Sequence, residues 1–179
     1  MKKVYGFTII ELITVIILIG ILAVNVLPKF DGTASYEAHS HRSQLIAALR
    51  LTQQRAMQQT DPNAISLGQP ICHQIIFDDS PNVSRYGIPN RLDCSITTFP
   101  NSWEPDATGF EVEGRYQVNF SIDGFNNPSA VSFDSMGRPT INNNTIDPNN
   151  CLGGCIINVQ TSIETLQIKI EPEGYIHAI

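Results

Sequence analysis

Basic side chains are scarce in this 179-residue chain, which has 11 Lys and Arg residues against 17 Asp and Glu and a formal net charge of −6. No Lys or Arg follows Lys169, so the closing segment EGYIHAI has none. Affinity for nucleic acids comes mainly from Lys and Arg that neutralise phosphates. The composition therefore argues against a function built on binding polyanions, and no nucleic-acid partner is expected.

The sequence also lacks a recognisable catalytic or metal-binding arrangement. None of its four histidines has an acid and a nucleophile at a familiar spacing, and two Asp/Asn clusters lack the acidic ladder and closing Glu of an EF-hand. We expect no enzymatic activity, no cofactor and no metal, and we interpret these residues as packing, surface or turn residues. The histidines are His39, His41, His73 and His177, and the clusters are Asp123 with Asn126 and Asn127, and Asp147 with Asn149 and Asn150.

Cysteines are few, and all four lie beyond the long hydrophobic run at residues 7–27. An oxidising compartment would join them, and four cysteines permit three pairings. We favour Cys72 with Cys94, which would tie the first predicted strand to the second, and Cys151 with Cys155, which would close a short loop containing two glycines. A zinc site is the alternative, but Cys151 and Cys155 have no companion Cys or His at a familiar ligand spacing.

One long hydrophobic run dominates the amino-terminal part of the chain. Residues 7–27, FTIIELITVIILIGILAVNVL, follow only MKKVYG, and Glu11 is the one carboxylate among them. As a helix, this run would be roughly 31 Å long, about the thickness of a bilayer hydrocarbon core. It can therefore cross a membrane once, with Lys2 and Lys3 on the cytoplasmic side.

No small-residue cleavage site of the secretory kind follows this run. The junction that stands out is Gly6-Phe7, at the start of the run. A cut there would remove the basic leader, keep the apolar helix and create an amine four positions before Glu11 on the same helical face. That amine could pair with Glu11 of its own or a neighbouring chain and offset the cost of a carboxylate in an apolar helix.

The basic leader, the glycine before an aromatic residue, the glutamate at the fifth mature position and the apolar helix together resemble the type IV pilin signature. In that family a prepilin peptidase cuts after the glycine and methylates the new phenylalanine amine, and the glutamate meets the amine of another subunit during filament assembly. The resemblance implies cleavage between Gly6 and Phe7, N-methylation of Phe7 and a role in assembly for Glu11. A plain amino-terminal anchor with an incidental Glu11 is the alternative.

The resemblance also implies an organisation and a location. The segments would be a leader at 1–6, a transmembrane and filament-core helix at 7–28, an amphipathic half of the same helix at 29–60 and a β-rich head at 61–179. The protein would cross the inner membrane once, with its head in the periplasm, and would then enter a pilus filament outside the cell. Its partners would be other pilin subunits, the prepilin peptidase, the inner-membrane pilus assembly machinery and the lipid bilayer.

Periodicity predicts an α+β fold, in which a long amino-terminal helix packs on an antiparallel sheet or on two small packed sheets. Pro28 should kink the helix and Asp61-Pro62 should end it. Residues 35–59 should be amphipathic, with one apolar side formed by Leu45, Ile46, Leu49, Ala56 and Met57. Strands are predicted at 71–77, 92–99, 116–122, 131–133, 156–160, 166–170 and 175–178, and an exposed loop at 142–150.

Two segments narrow the resemblance. SFDSMGRP at 132–139 and LQIKIEPEGYIHA at 166–178 resemble strand, turn and glycine units in the heads of minor pilins and pseudopilins, including the type II secretion H pseudopilin and FimT. Gly137 and Gly174 are also ordinary turn residues. The chain as a whole looks most like a minor pilin of the mannose-sensitive haemagglutinin (MSHA) pilus, a structural subunit for initiating or assembling a fibre used in surface adhesion.

Three other functions remain open from sequence. A type II secretion pseudopilin that promotes protein secretion would share nearly every feature above. A DNA-uptake minor pilin is disfavoured by the lack of Lys and Arg near the carboxyl terminus. A glycan-binding tip subunit could use Trp103, Tyr86 and Tyr116 for stacking, although aromatic residues in a sheet more often pack in a core.

Overall fold

The computed structural model describes residues 8–26, 33–59, 72–80, 83–113, 118–125, 128–140 and 151–179. Within these ranges the chain forms two helices and nine strands arranged in two antiparallel sheets. The predicted α+β class is therefore confirmed. The predicted kink at Pro28, the predicted helix end at Asp61-Pro62 and the predicted loop at 142–150 lie outside the described residues.

Helix α1 spans Ile9–Val26 and helix α2 spans Thr33–Gln58. In α2 the predicted apolar side is largely correct, because Leu45, Leu49 and Ala56 are buried and Ile46 is partly buried. Met57 was assigned to that side wrongly, since 43% of it is exposed. A helical stripe advances by three or four residues, so the position after Ala56 already turns toward solvent.

The first sheet consists of β1 (Gln74–Ser80), β2 (Val83–Gly87), β3 (Phe110–Glu113), β5 (Ser129–Phe133) and β6 (Pro139–Thr140). The second consists of β4 (Asn119–Ile122), β7 (Cys155–Gln160), β8 (Thr165–Ile170) and β9 (Ile176–Ala178). The strand order is β3-β2-β1-β5-β6 in the first sheet and β4-β7-β8-β9 in the second. Neighbouring strands are antiparallel throughout.

One hydrophobic core joins α2 to both sheets. Helix α2 packs on β7, β8 and β9 and also meets β1 and β5. Leu45 and Leu49 of the helix are fully buried, and Phe77 and Phe120 bring large side chains from the two sheets into the same cluster. Burial of such side chains stabilises a fold by about 1.5–3 kcal/mol each. The head and α2 therefore form one folded unit.

Residues 92–99 were predicted as a strand, and this prediction is wrong. The Asn90 side-chain oxygen accepts a hydrogen bond from the Leu92 N–H at 2.9 Å, and the Asp93 carboxylate accepts one from the Ser95 N–H at 2.8 Å. Such side-chain bonds to the backbone two residues on form turns that compete with a strand. Although apolar residues alternate in this segment, it therefore does not join either sheet.

Strand β2 was missed because its buried face is partly polar. Ser84 and Tyr86 point into the core, while Val83 and Arg85 are only half-buried. The Ser84 hydroxyl oxygen accepts a hydrogen bond from the Phe120 N–H at 3.1 Å. A buried serine is tolerated when it is hydrogen-bonded in this way. Because a polar residue occupies a buried position, the sequence of β2 does not show the apolar alternation that would predict a strand.

The structure joins Cys72 to Cys94 and Cys151 to Cys155, with Cα–Cα distances of 5.1 and 5.2 Å. This is the favoured pairing of the three. Cys94, however, lies in the turns that follow β2 rather than in a second strand. The first bond therefore fastens the start of β1 to the long connection between β2 and β3.

Replacing Cys72 and Cys94 together by serine should lower the free energy of unfolding by about 3 kcal/mol, and replacing Cys151 and Cys155 together should lower it by about 2 kcal/mol. The difference arises because loop-closure entropy grows with the number of residues enclosed, and the two pairs are 22 and 4 residues apart. Urea denaturation of the full-length chain under non-reducing conditions measures both losses. A larger loss from the small loop would contradict this reasoning.

Candidate functional site

Helix α1 begins with a side-chain cap that the sequence analysis did not identify. The Glu11 N–H donates a hydrogen bond to the Thr8 hydroxyl oxygen at 3.3 Å, and the Thr14 hydroxyl donates to the Glu11 carbonyl at 2.9 Å. Thr8 and Glu11 have the spacing of a capping box, which was readable in the sequence. Glu11 therefore lies in the first turn of α1. A carboxylate at this position interacts favourably with the helix dipole.

The apolar side chains of α1 up to Leu22 are exposed on every side of the helix. Every described side chain from Thr8 to Leu22 is exposed, and the large hydrophobic ones range from 42% exposed at Val15 to 81% at Ile9. A helix that is hydrophobic on all sides is normally buried in a large core or in a membrane. This segment of α1 therefore needs an apolar environment that the described part of the chain does not supply.

The predicted processing junction lies outside the described residues. Neither Gly6 nor Phe7 is described, and the same holds for Leu27 and Pro28 at the other end of the predicted 7–28 segment. Among the described helical residues, no stretch has the length and apolarity needed to cross a membrane.

A single glutamine of α2 connects the segments 132–139 and 166–178. The Gln53 side-chain NH₂ group donates to the Gly137 carbonyl at 2.6 Å and to the Gly174 carbonyl at 2.7 Å. Gly137 lies in the turn between β5 and β6, and Gly174 in the turn between β8 and β9. The two turns come from different sheets, so this contact, here named the Gln53 clasp, joins helix and both sheets at one point.

Two histidines are packing residues. His41 on α2 has its ring 4.9 Å from the Phe110 ring and 6.0 Å from the Phe120 ring. Burial lowers the pKa of His41, against smaller effects of Glu37 and Gln44 that raise it. His177 stacks on Tyr175 at 4.9 Å, with its Nε2 3.2 Å from a Glu171 carboxylate oxygen.

The three aromatic residues considered for sugar stacking differ in burial and in whether the structure describes them. Tyr86 is 1% exposed within the core, so its ring cannot meet a ligand, and the same burial raises the pKa of its hydroxyl. Trp103 packs against Phe99 with ring centroids 4.5 Å apart and donates its indole N–H to the Ile88 carbonyl at 3.1 Å. Tyr116 lies outside the described residues.

No group of three or more His, Cys, Asp or Glu side chains that could hold a metal ion occurs among the described residues. Of the two Asp/Asn clusters, Asp123 is described and exposed, while the asparagines at 126–127 and the whole of 147–150 lie outside the described ranges. In comparisons with known proteins, no protein family, no curated protein and no solved structure matches this chain.

Proposed function

We propose that this chain is a minor type IV pilin, a structural subunit that helps to initiate or assemble an MSHA-like pilus involved in surface adhesion. The observation that carries the proposal is the exposed, largely apolar part of α1 up to Leu22, with a lone carboxylate in its first turn. This helix adjoins the Gly6-Phe7 junction in the sequence. It is joined along the chain to a β-rich head with two disulfides.

In the proposed function, α1 first lies in the inner membrane with the head in the periplasm and then packs against the helices of neighbouring subunits in a filament. Lipid tails are as apolar as leucine, so this exchange gains little hydrophobic free energy. Order in the filament must then come from close helix packing and from polar contacts. The Glu11 carboxylate, paired with the Phe7 amine of another subunit, would supply such a contact.

The proposed role is structural and depends on the surfaces of the chain. In the folded unit the half-buried His41 packs on Phe110 and Phe120. The functional surface of a pilin is the set of contacts with other subunits, the prepilin peptidase and the assembly machinery. The proposal therefore requires no cofactor and no nucleic acid.

Replacing Gly6 by leucine should leave the unprocessed chain in the membrane, because the peptidase site requires the small residue before the cut. Intact mass spectrometry of the membrane fraction should find a mature chain starting at methylated Phe7 in the wild type and the full-length chain in the variant. Gly20→Leu is the matched control, since nothing lies within 4 Å of a Cβ at Gly20, and it should be processed normally. Normal processing of Gly6→Leu would contradict the proposed junction.

The phenotype of a deletion strain distinguishes a minor pilin from a type II secretion pseudopilin. Deleting the gene and scoring piliation, adhesion, protein secretion and transformation in the same strain separates the functions. We expect loss of piliation and adhesion with secretion and transformation unchanged. Loss of secretion with normal piliation would assign the chain to a secretion system instead.

A further inference from the structure

A cavity on the head brings together positive side chains in a chain that is acidic overall. It has a volume of about 310 Å³ and lies where the carboxyl-terminal end of α2, the residues before β1 and the segment after β2 meet. Arg55, His73 and Arg91 line it, together with Gln58 and Gln59. With a formal net charge of −6 for the whole chain, the convergence of three basic groups in one cavity is unexpected from composition.

The cavity disfavours additional positive charge beside Arg55. Burial, and after it the charge of Arg55, lowers the pKa of both His73 and Arg91. Arg91 forms an ion pair with Asp106, which offsets one of the charges. Among the described residues the Arg55 Nη1 atom is buried without a hydrogen-bond partner. A buried donor without a partner costs free energy.

The other side chains of the cavity indicate which groups a bound anion could carry besides its charge. A guanidinium group binds a carboxylate through two parallel hydrogen bonds, and the amides of Gln58 and Gln59 can both donate to and accept from hydroxyl groups. His73 is already held in place by a hydrogen bond with Gln59. The cavity volume lies at the small end of the range for ligand pockets, which fits a monosaccharide rather than a polymer. The Cys72–Cys94 disulfide holds one wall, because Cys72 lines the cavity.

We propose that this cavity, here named the Arg55 pocket, binds a small acidic sugar, a monosaccharide carrying one carboxylate, with Arg55 as the principal carboxylate ligand. The proposal rests on α2 and the head and does not depend on the chain being a pilin. If it is a pilin, the same pocket would give the fibre a receptor for acidic glycans.

The test is isothermal titration of the full-length chain in detergent micelles at constant ionic strength. The probes are N-acetylneuraminate and galacturonate, with the neutral sugars N-acetylglucosamine and galactose and inorganic sulfate as comparisons. We expect at least one acidic sugar to bind about tenfold more tightly than the neutral sugars and sulfate, the factor that a charge-assisted hydrogen bond typically provides. Equal binding of acidic and neutral sugars, or sulfate binding as tight as that of the best acidic sugar, would overturn the assignment.

Arg55→Gln should weaken binding of that acidic sugar by about tenfold or more. Arg138→Gln removes the same charge from a side chain that is 52% exposed and outside the pocket, and it should change binding by less than about twofold. Arg55→Lys keeps the charge but loses the paired geometry, so it should bind at an intermediate level and provides the test if Arg55→Gln fails to fold. Wild-type affinity in both Arg55 variants, or in whichever of them folds, would refute the pocket.

Discussion

Replacing Gly174 by alanine should lower the free energy of unfolding of the head by about 3 kcal/mol or more, an effect as large as those of strained backbone and overpacking combined. Gly174 has φ +92°, and an added Cβ would lie 2.1 Å from the Gly137 carbonyl oxygen and 2.7 Å from the Gln53 amide nitrogen. The first of these atoms belongs to the backbone of another turn and cannot move alone. The substitution therefore strains one turn, displaces a second and opens the Gln53 clasp.

Gly124→Ala is the matched control. Its φ of +77° imposes a similar left-handed backbone, but nothing lies within 4 Å of an added Cβ. It should cost only the conformational penalty, about 1–2 kcal/mol. Urea denaturation of both variants, followed by far-UV circular dichroism, gives the comparison. Equal losses for the two glycines would mean that the close approach of the two turns contributes nothing.

Glu11→Val should leave membrane insertion and cleavage intact but reduce incorporation into filaments by about tenfold or more, the effect of losing one charged contact in an apolar setting. The expectation rests on the proposed function, in which the Glu11 carboxylate meets an amine of a neighbouring subunit. Quantitative mass spectrometry of sheared filaments, normalised to the membrane pool of mature subunit, measures it.

The Thr8→Ala variant distinguishes a role of Glu11 in filament assembly from a role in capping α1. It removes the hydroxyl that accepts the Glu11 N–H but keeps the carboxylate. If Glu11 acts through an intersubunit charge pair, Thr8→Ala should incorporate normally and Glu11→Gln should fail like Glu11→Val. Equal defects in Thr8→Ala and Glu11→Gln would assign Glu11 to the start of the helix and remove the charge-pair argument.

Local periodicity accounts for the elements that the sequence revealed. The stripe through Leu45 and Leu49 identified α2, and clear alternation identified β8, because each pattern matches the geometry of its own element. Where the buried face carries polar residues, as in β2 with Ser84, the pattern is lost. The strand predicted at 92–99 was wrong for the opposite reason. Its apolar residues alternate, but the side chains of Asn90 and Asp93 hydrogen-bond to the backbone two residues on and form turns instead of a strand.

The two sites on the head were not predictable for a different reason. Gln53 meets carbonyls 84 and 121 positions away in the chain, and Arg55 shares its pocket with residues from two other segments. Contacts between residues so far apart in the chain leave no local pattern in the sequence. By contrast, the Thr8 cap and Glu11 lie three residues apart, so the start of α1 was within reach of sequence reasoning.

The hydrogen bonds of α2 have a consequence for the order of biosynthesis. Arg50 donates to the Ile176 carbonyl at 2.7 Å, 126 positions later in the chain, and Gln53 reaches Gly174, 121 positions later. A ribosome makes the helix long before it makes these acceptors. The Arg50 and Gln53 side chains must therefore bond to water when α2 is first made, and these two hydrogen bonds can form only after translation has passed β9. Any translocase or chaperone that handles the nascent chain before that moment meets this part of α2 without its native acceptors.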